Sequence, residues 1–168
     1  MGLLANTSFK VSLWIMEKVQ RTRMRIVRYL YGDGRTVHGV RVLLERGDGH
    51  VFLVRHWYAP GVWTLPGGGV KRNESVPDAA RRELKEETGY TVCGDVEELG
   101  VYNADQEGDT VTVLIVRKVE GSMRLLPDIE VMERGFFDMH NLPDNISPAN
   151  RRRVEEYVRG ERGVHAPW

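Results

Sequence analysis

The chain has 168 residues, of which 41% are hydrophobic and 29% charged, and these values indicate one globular domain rather than a disordered chain. Lysine plus arginine equals aspartate plus glutamate at 24 each, so we expect no stable nucleic-acid partner on grounds of charge. The single cysteine, Cys93, excludes an internal disulfide framework, and no uncharged apolar run approaches the about 20 residues of a bilayer span. The sequence therefore predicts a soluble, cytoplasmic protein without a membrane span.

The beginning of the chain, residues 1–34, is predicted to be an N-terminal extension. Residues 8–31 contain no proline or glycine, and Gly32 and Gly34 end a pattern of apolar and basic residues that is typical of a helix. One role for such a helix is contact with a membrane surface or RNA. Because its arginines form no unbroken stripe, packing on the domain or in a homodimer interface is favoured. Met16 is an alternative start of the chain.

Two β-rich runs follow, at residues 36–45 and 50–56. They flank a turn that contains Gly-Asp-Gly, and this pattern predicts a β-hairpin. Residues 57–69 contain two prolines and end in three glycines, so we expect a loop with a short strand there.

The clearest helix is predicted from Ser75 to Glu87. Ser75 is a suitable N-cap, and Asp78 stands three residues later, where it completes a capping box. Gly89 occupies the position at which a glycine commonly ends a helix.

The rest of the chain alternates between strand and helix patterns. It contains strands at 92–103 and 110–120 joined by a polar loop at 104–109, an irregular acidic segment at 127–134, and a helix at 147–159. This order predicts an α/β sandwich on a mixed sheet. We place the main domain at residues 35–160 and a C-terminal tail at 161–168.

The loop and helix between Gly68 and Gly89 hold a pattern that points to chemistry. On a helix, Glu83 lies near Glu86 and Glu87, so three carboxylates share one face at a cost of about 0.2–0.5 kcal/mol per pair. Mg²⁺ or Mn²⁺ would offset that cost, because both ions prefer oxygen ligands. The alternative is a solvated face on which neighbouring arginines and a lysine pair with these glutamates.

The full spacing resembles the Nudix box, the signature of the Nudix hydrolase family. Its specified positions are filled by Gly68, Glu74, Arg82, Glu83, Leu84, Glu86, Glu87 and Gly89. Tyr90 departs from the usual aliphatic residue at the last position. The similarity spans residues 36–159 and implies a Nudix-type α/β/α sandwich around a mixed β-sheet.

The resemblance also implies an activity and roles for residues. It implies Mg²⁺-dependent hydrolysis, with Mn²⁺ as substitute, of a nucleoside diphosphate linked to another moiety, by attack of water on phosphorus. By position, Glu83, Glu86 and Glu87 are expected to bind the metal with the backbone carbonyl of Gly68. Arg82 is expected to orient a glutamate, and which glutamate acts as general base varies within the family.

Further site residues are expected outside the box helix. Glycines 67–69 would bring backbone groups close to the cation and to phosphate oxygens. Glu130 is a candidate ligand or base, Glu133 is the alternative, and a solvated loop carboxylate is the third interpretation. The five histidines show no ligand spacing and are interpreted as structural.

Signals for the substrate are fewer. Ser147-Pro148-Ala149-Asn150 resembles the segment in which MutT-like triphosphatases present an asparagine to a purine, although Asn150 is equally explained as part of a helix start capped by Ser147. The sequence favours a small nucleotide of the (d)NTP type. The alternatives are an ADP-ribose or nucleotide-sugar hydrolase, and a non-catalytic nucleotide sensor, against which the intact glutamates argue.

Overall fold

We analysed a computed structural model, which describes residues 37–104, 108–125 and 130–168. The predicted helix at residues 8–31 lies outside these ranges. The described residues form nine strands and two helices. In chain order these are β1 (His38–Leu44), β2 (His50–His56), β3 (Trp63–Thr64), α1 (Val76–Thr88), β4 (Thr91–Val92), β5 (Glu97–Asn103), β6 (Thr110–Val116), β7 (Val119–Glu120), β8 (Val131–Asp138), α2 (Pro148–Val158) and β9 (Val164–Pro167).

The strands form two larger sheets and one small one. The four-stranded sheet has the order β1-β6-β5-β9 and is mixed, because β1 pairs with β6 and β5 with β9 in parallel while β5 and β6 are antiparallel. The second sheet, β3-β2-β8, is antiparallel. The short strands β4 and β7 pair with each other and interrupt the two strand regions predicted at 92–103 and 110–120.

The predicted hairpin between residues 36–45 and 50–56 is wrong. Both segments are strands, but β1 and β2 belong to different sheets and share one isolated bridge, between Glu45 and Val51. The physical reason is that both runs are buried on both faces, so each needs partners and covering elements that are distant in sequence.

Side chains on opposite faces of these strands build two hydrophobic cores. Val40 and Val42 of β1 pack in the core that contains Leu84 of α1. Leu43 lies on the opposite face of β1 and packs in the core that contains Val154 of α2. The sheets therefore lie between the two helices, and this arrangement confirms the predicted α/β/α sandwich.

The C-terminal strand β9 is held against the second core by buried polar groups. The guanidinium of Arg153 lies 3.9 Å from the ring centre of Tyr102 and bonds Glu156 at 2.7 Å. The Tyr102 hydroxyl donates to Glu156 at 2.8 Å, and burial raises the pKa of this tyrosine above its usual value. The backbone N–H of Trp168 donates to the carbonyl of Asn103 at 2.8 Å. Residues 164–167 thus complete one edge of the mixed sheet.

Neither helix in the described ranges is long and apolar enough to cross a bilayer.

Candidate active site

The glycine-rich loop before α1 lies directly on strand β1. The N–H of Val42 donates to the carbonyl of Pro66 at 2.8 Å, and the N–H of Val40 donates to the carbonyl of Gly68 at 2.9 Å. Backbone hydrogen bonds therefore fix the loop against a buried strand.

Two of the glycines closely approach neighbouring groups. A Cβ on Gly67 would lie 2.1 Å from the Val40 carbonyl oxygen, and the backbone there has φ +146. A Cβ on Gly68 would lie 2.4 Å from Oε1 of Glu83. The loop thus touches β1 on one side and a carboxylate of α1 on the other, and a side chain at position 68 would displace that carboxylate.

Helix α1 carries the acidic side chains to this loop. Its N-cap is Ser75, which accepts a hydrogen bond from the N–H of Asp78, and its C-cap is Gly89 with φ 91. These caps confirm the helix predicted from the sequence, within one residue at each end. The helix directs Glu83 and Glu86 toward a cavity, while Glu87 is buried.

Arg82 connects the loop with the helix. Its Nε and Nη2 donate to the two carboxylate oxygens of Glu74 at 2.8 and 2.9 Å, and Nη2 also donates to the Gly69 carbonyl at 3.0 Å. Its Nη1 donates to Glu83 at 2.7 Å and approaches Glu86 at 3.4 Å. One guanidinium therefore contacts three carboxylates and the glycine loop, and its short bonds orient Glu74 and Glu83.

These contacts shift the titration of both main partners. Hydrogen bonding to Arg82 holds the pKa of Glu74 below its usual value, with help from the N–H of Lys71. Hydrogen bonding to Glu74 and Glu83 raises the pKa of Arg82. Both shifts favour the charged forms of Glu74 and Arg82 and so maintain the ion pair between them.

A cavity of about 640 Å³ opens beside this network. Glu83, Glu86 and the glycine loop line one part of it, and Arg41 and Lys71 supply positive charge. The Nη1 group of Arg41 donates to the carbonyl of Gly67 at 2.9 Å, so this cation is held at the cavity wall. The volume falls within the range of about 300–1,000 Å³ that is typical of small-molecule sites.

A second group of candidate metal ligands lies at the edge of the cavity. One ligand atom each from His56, Glu87 and Glu130 lie within 4.8 Å of one another. Nε2 of His56 is 3.4 Å from Oε1 of Glu87, and the other oxygen of Glu87 accepts a hydrogen bond from the N–H of Gly67 at 2.9 Å. We call these three side chains the His–Glu–Glu cluster. In the described ranges it is the one group of three such side chains this close together.

The structure places the other predicted site residues as follows. Residues 67–69 and Glu130 line the cavity together with Glu83 and Glu86. Glu133 does not line it and pairs with Arg55. Asn150 is 3% exposed and lies outside the lining, where its Oδ1 accepts a hydrogen bond from the N–H of Leu65 at 3.1 Å.

His56 is interpreted as structural from the sequence, whereas the structure places it in the His–Glu–Glu cluster. It stands at the end of β2, and the other two members come from α1 and from the residue that precedes β8, so no spacing along the chain links them. The signal that was available is its position two residues after the apolar run Val51–Val54, at a strand end that precedes the glycine loop.

The donor set fits a divalent cation. Glu83 and Glu86 offer carboxylate oxygens to the cavity, and the carbonyl of Gly68 keeps a second lone pair beyond its bond to Val40. The tight approach of Gly68 to Glu83 brings the carbonyl-bearing loop and a carboxylate together. Oxygen ligands of this kind suit Mg²⁺.

Comparison with known proteins gives three further findings. The model of the NUDIX domain matches residues 35–157. An ADP-ribose pyrophosphatase from Methanocaldococcus jannaschii is 32% identical over 121 residues, which are 69% of this chain and 70% of that protein. A Bacillus subtilis protein provisionally named as an 8-oxo-dGTP diphosphatase is 28% identical over 127 residues, which are 76% of this chain and 83% of that protein.

A solved structure shares the fold. The crystal structure of a MutT NUDIX hydrolase from Burkholderia pseudomallei matches with a TM-score of 0.64 and 28% identity, and the match covers 72% of this chain and 97% of that one.

Proposed function

Because the chain belongs to the Nudix hydrolase family, we propose that it is a Mg²⁺-dependent pyrophosphohydrolase of nucleoside diphosphate derivatives, in which water attacks phosphorus. The observation that carries this proposal is the cavity in which Glu83 and Glu86 face the glycine loop while Arg82 holds both in place. Such an arrangement brings carboxylates and cationic side chains to one site, as phosphoryl transfer requires.

The residues that would hold the cation are Glu83, Glu86 and Glu87, with the carbonyl of Gly68. When bound there, a divalent ion supplies positive charge to the pyrophosphate and lowers the pKa of water. A non-catalytic sensor would not need a guanidinium shared among Glu74, Glu83 and Glu86, so hydrolysis is the better-supported function.

The remaining groups have separable tasks in this proposal. Arg41 and Lys71 neutralise and orient the phosphate oxygens, because both cations line the same cavity. The attacking water gives its proton to one of the carboxylates that line the cavity, Glu83, Glu86 or Glu130. Arg82 also lines the cavity, and its task in this proposal is to fix the direction of the Glu83 carboxylate.

For the substrate class, we propose a nucleoside triphosphate or its oxidised form. The names of the Bacillus relative and of the solved MutT structure support this choice. The name of the Methanocaldococcus relative favours ADP-ribose as the second candidate.

A substrate panel tests the proposal. The full chain with Mg²⁺ is incubated with nucleoside triphosphates, oxidised dGTP, ADP-ribose, nucleotide sugars and dinucleoside polyphosphates in ¹⁸O-labelled water, and products are analysed by mass spectrometry. We expect a nucleoside monophosphate among the products and one ¹⁸O atom on a product phosphate. Nucleotide binding without turnover of any member of the panel would contradict the proposal and leave the sensor function.

Residues 1–34 are proposed to pack on the domain or in a homodimer interface of a cytoplasmic protein. Removal of residues 1–15 should leave turnover intact, because every group proposed for catalysis lies beyond Gly39. Sedimentation of the full chain and of the chain that lacks residues 1–15 shows whether residues 1–15 change the oligomeric state.

A further inference from the structure

The His–Glu–Glu cluster contains an imidazole nitrogen, whereas the ligands proposed for Mg²⁺ are all oxygen atoms. We propose that His56, Glu87 and Glu130 form a binding site for a transition-metal dication of the zinc class, with His56 supplying a nitrogen ligand. The proposal rests on the proposed function in one respect, because Glu87 is also among the expected Mg²⁺ ligands. It adds a ligand and a metal preference that the Nudix box does not specify.

The geometry of the cluster carries the proposal. One ligand atom from each side chain lies within 4.8 Å of the others. Two ligands of one zinc ion, each at about 2.0–2.2 Å, are separated by up to about 4 Å, so small side-chain rotations are sufficient. His56 and Glu87 are 2% and 3% exposed, so these donors are already withdrawn from water.

The backbone holds the three donors in this arrangement. His56 is the cross-strand partner of Val131, and the register of β2 and β8 shifts between Arg55 and His56. The N–H of Trp57 donates to the carbonyl of Glu130 at 3.2 Å. An irregularity of this kind re-aims side chains next to a site, and here it brings Glu130 beside His56.

The histidine ring is also fixed from its face. The ring of Tyr58 stacks on His56 with 4.8 Å between the ring centres and 15° between the planes. A ring that is held in this way loses little freedom when a nitrogen binds an ion. Glu87 is similarly fixed, because the N–H of Gly67 bonds one of its oxygens and leaves Oε1 facing the imidazole.

Charge and ligand type together select the kind of ion. Two carboxylates this close, one of them buried, repel each other, and a dication between them would relieve that repulsion. Imidazole nitrogen is a preferred ligand of zinc and its neighbours, whereas Mg²⁺ prefers oxygen. The cluster should therefore bind Zn²⁺ or Co²⁺ in preference to Mg²⁺.

The test uses metal binding by the full chain without substrate. Zn²⁺ and Mg²⁺ affinities are measured by calorimetry for the wild type, His56→Gln and His50→Gln. His50 is the matched control, because it begins the same strand and pairs with Asp48 at 3.0 Å, outside the cluster. We expect His56→Gln to weaken Zn²⁺ binding about tenfold or more, with Mg²⁺ affinity changed less than about threefold and His50→Gln unaffected.

Loss of affinity alone would also follow if His56 only oriented Glu87, so a second measurement is needed. In the Co²⁺-loaded wild type, proton NMR should show a paramagnetically shifted imidazole N–H, and His56→Gln should lack it while His50→Gln keeps it. Absence of that signal from the wild type, or its survival in His56→Gln, would overturn the proposal. The wild-type spectrum decides even where His56→Gln fails to fold.

The outcomes separate this inference from the proposed function. A chain that hydrolyses nucleotides with Mg²⁺ and shows no shifted imidazole proton retains the function and loses this site. A chain with the imidazole signal and no turnover retains the site and loses the function.

Discussion

The guanidinium of Arg82 donates two hydrogen bonds of nearly equal length to the carboxylate of Glu74, from Nε at 2.8 Å and from Nη2 at 2.9 Å. The pair joins the loop before α1 to the middle of the helix, and the same guanidinium reaches Glu83 at 2.7 Å. A bidentate pair restricts orientation as well as distance. The position of Glu83 therefore depends, through Arg82, on Glu74, which does not line the cavity.

This relationship predicts that Arg82→Lys lowers kcat about tenfold or more. Lysine keeps the charge but cannot hold Glu74 and Glu83 with a planar fork. Steady-state kinetics give the comparison, with Arg81→Lys as the matched control because Arg81 donates to the Gly94 carbonyl on another side of α1. Equal losses of kcat in both variants would show that the effect belongs to the helix and not to this network.

Gly68→Ala is expected to lower kcat while the protein stays folded. The added Cβ would lie 2.4 Å from Oε1 of Glu83, and the flexible carboxylate must move away. Gly61→Ala is the control, since nothing lies within 4 Å of a Cβ there. Thermal unfolding and kcat are measured for both variants. Full activity of Gly68→Ala would contradict the placement of Glu83 against the loop.

Asn150→Ala tests base recognition. Loss of the acceptor for the buried N–H of Leu65 should lower the free energy of unfolding by about 1–3 kcal/mol. If the amide group also reads a purine, the ratio of kcat/KM between purine and pyrimidine nucleotides should fall about tenfold. An unchanged ratio with a lowered Tm would leave Asn150 with a structural role alone.

A pH-dependent prediction comes from Glu97. Hydrogen bonds from Arg117 at 2.6 Å and Arg162 at 2.5 Å lower the pKa of this carboxyl in the folded protein. A lowered folded-state pKa adds stability above the unfolded pKa, near 4.5, and this contribution disappears as pH falls through the folded-state value. Because the side chain is 42% exposed, solvent screening keeps the contribution small.

We therefore expect Glu97→Gln to be less stable than the wild type at pH 6–7, with the difference shrinking toward zero below about pH 4. Urea unfolding at a series of pH values measures it. Glu98→Gln is the matched control, because Glu98 makes no ion pair with other residues in the described part of the chain. A stability difference that grew on acidification would have the wrong sign for this account.

The parts of the structure that the sequence predicts are those with local causes. Helix α1 was predicted from Ser75, Asp78 and Gly89, and each of these acts within one turn of the helix end that it caps. The hairpin prediction was wrong because an apolar run does not specify which strand it pairs with. Strand β1 pairs in parallel with β6, which is remote in sequence.

The candidate site divides in the same way. The motif predicted that Glu83 and Glu86 stand together, because one helix carries both. It could not predict that Glu87 lies beside His56 and Glu130, because that contact depends on how β2, α1 and β8 pack. The placement of Asn150 behind Leu65 also depends on packing, since it joins α2 to the end of β3.

The central claim is that carboxylates of α1 hold a catalytic divalent ion, and the kcat of Glu86→Gln under controlled metal tests it most directly. We predict that chelator abolishes wild-type turnover, that Mg²⁺ or Mn²⁺ restores it, and that Glu86→Gln in saturating Mg²⁺ stays about 10²-fold below the wild type. Glu155→Gln, on the exposed side of α2, serves as the control and should match the wild type. Undiminished turnover in chelator, or a Glu86→Gln variant as active as Glu155→Gln, would contradict the claim.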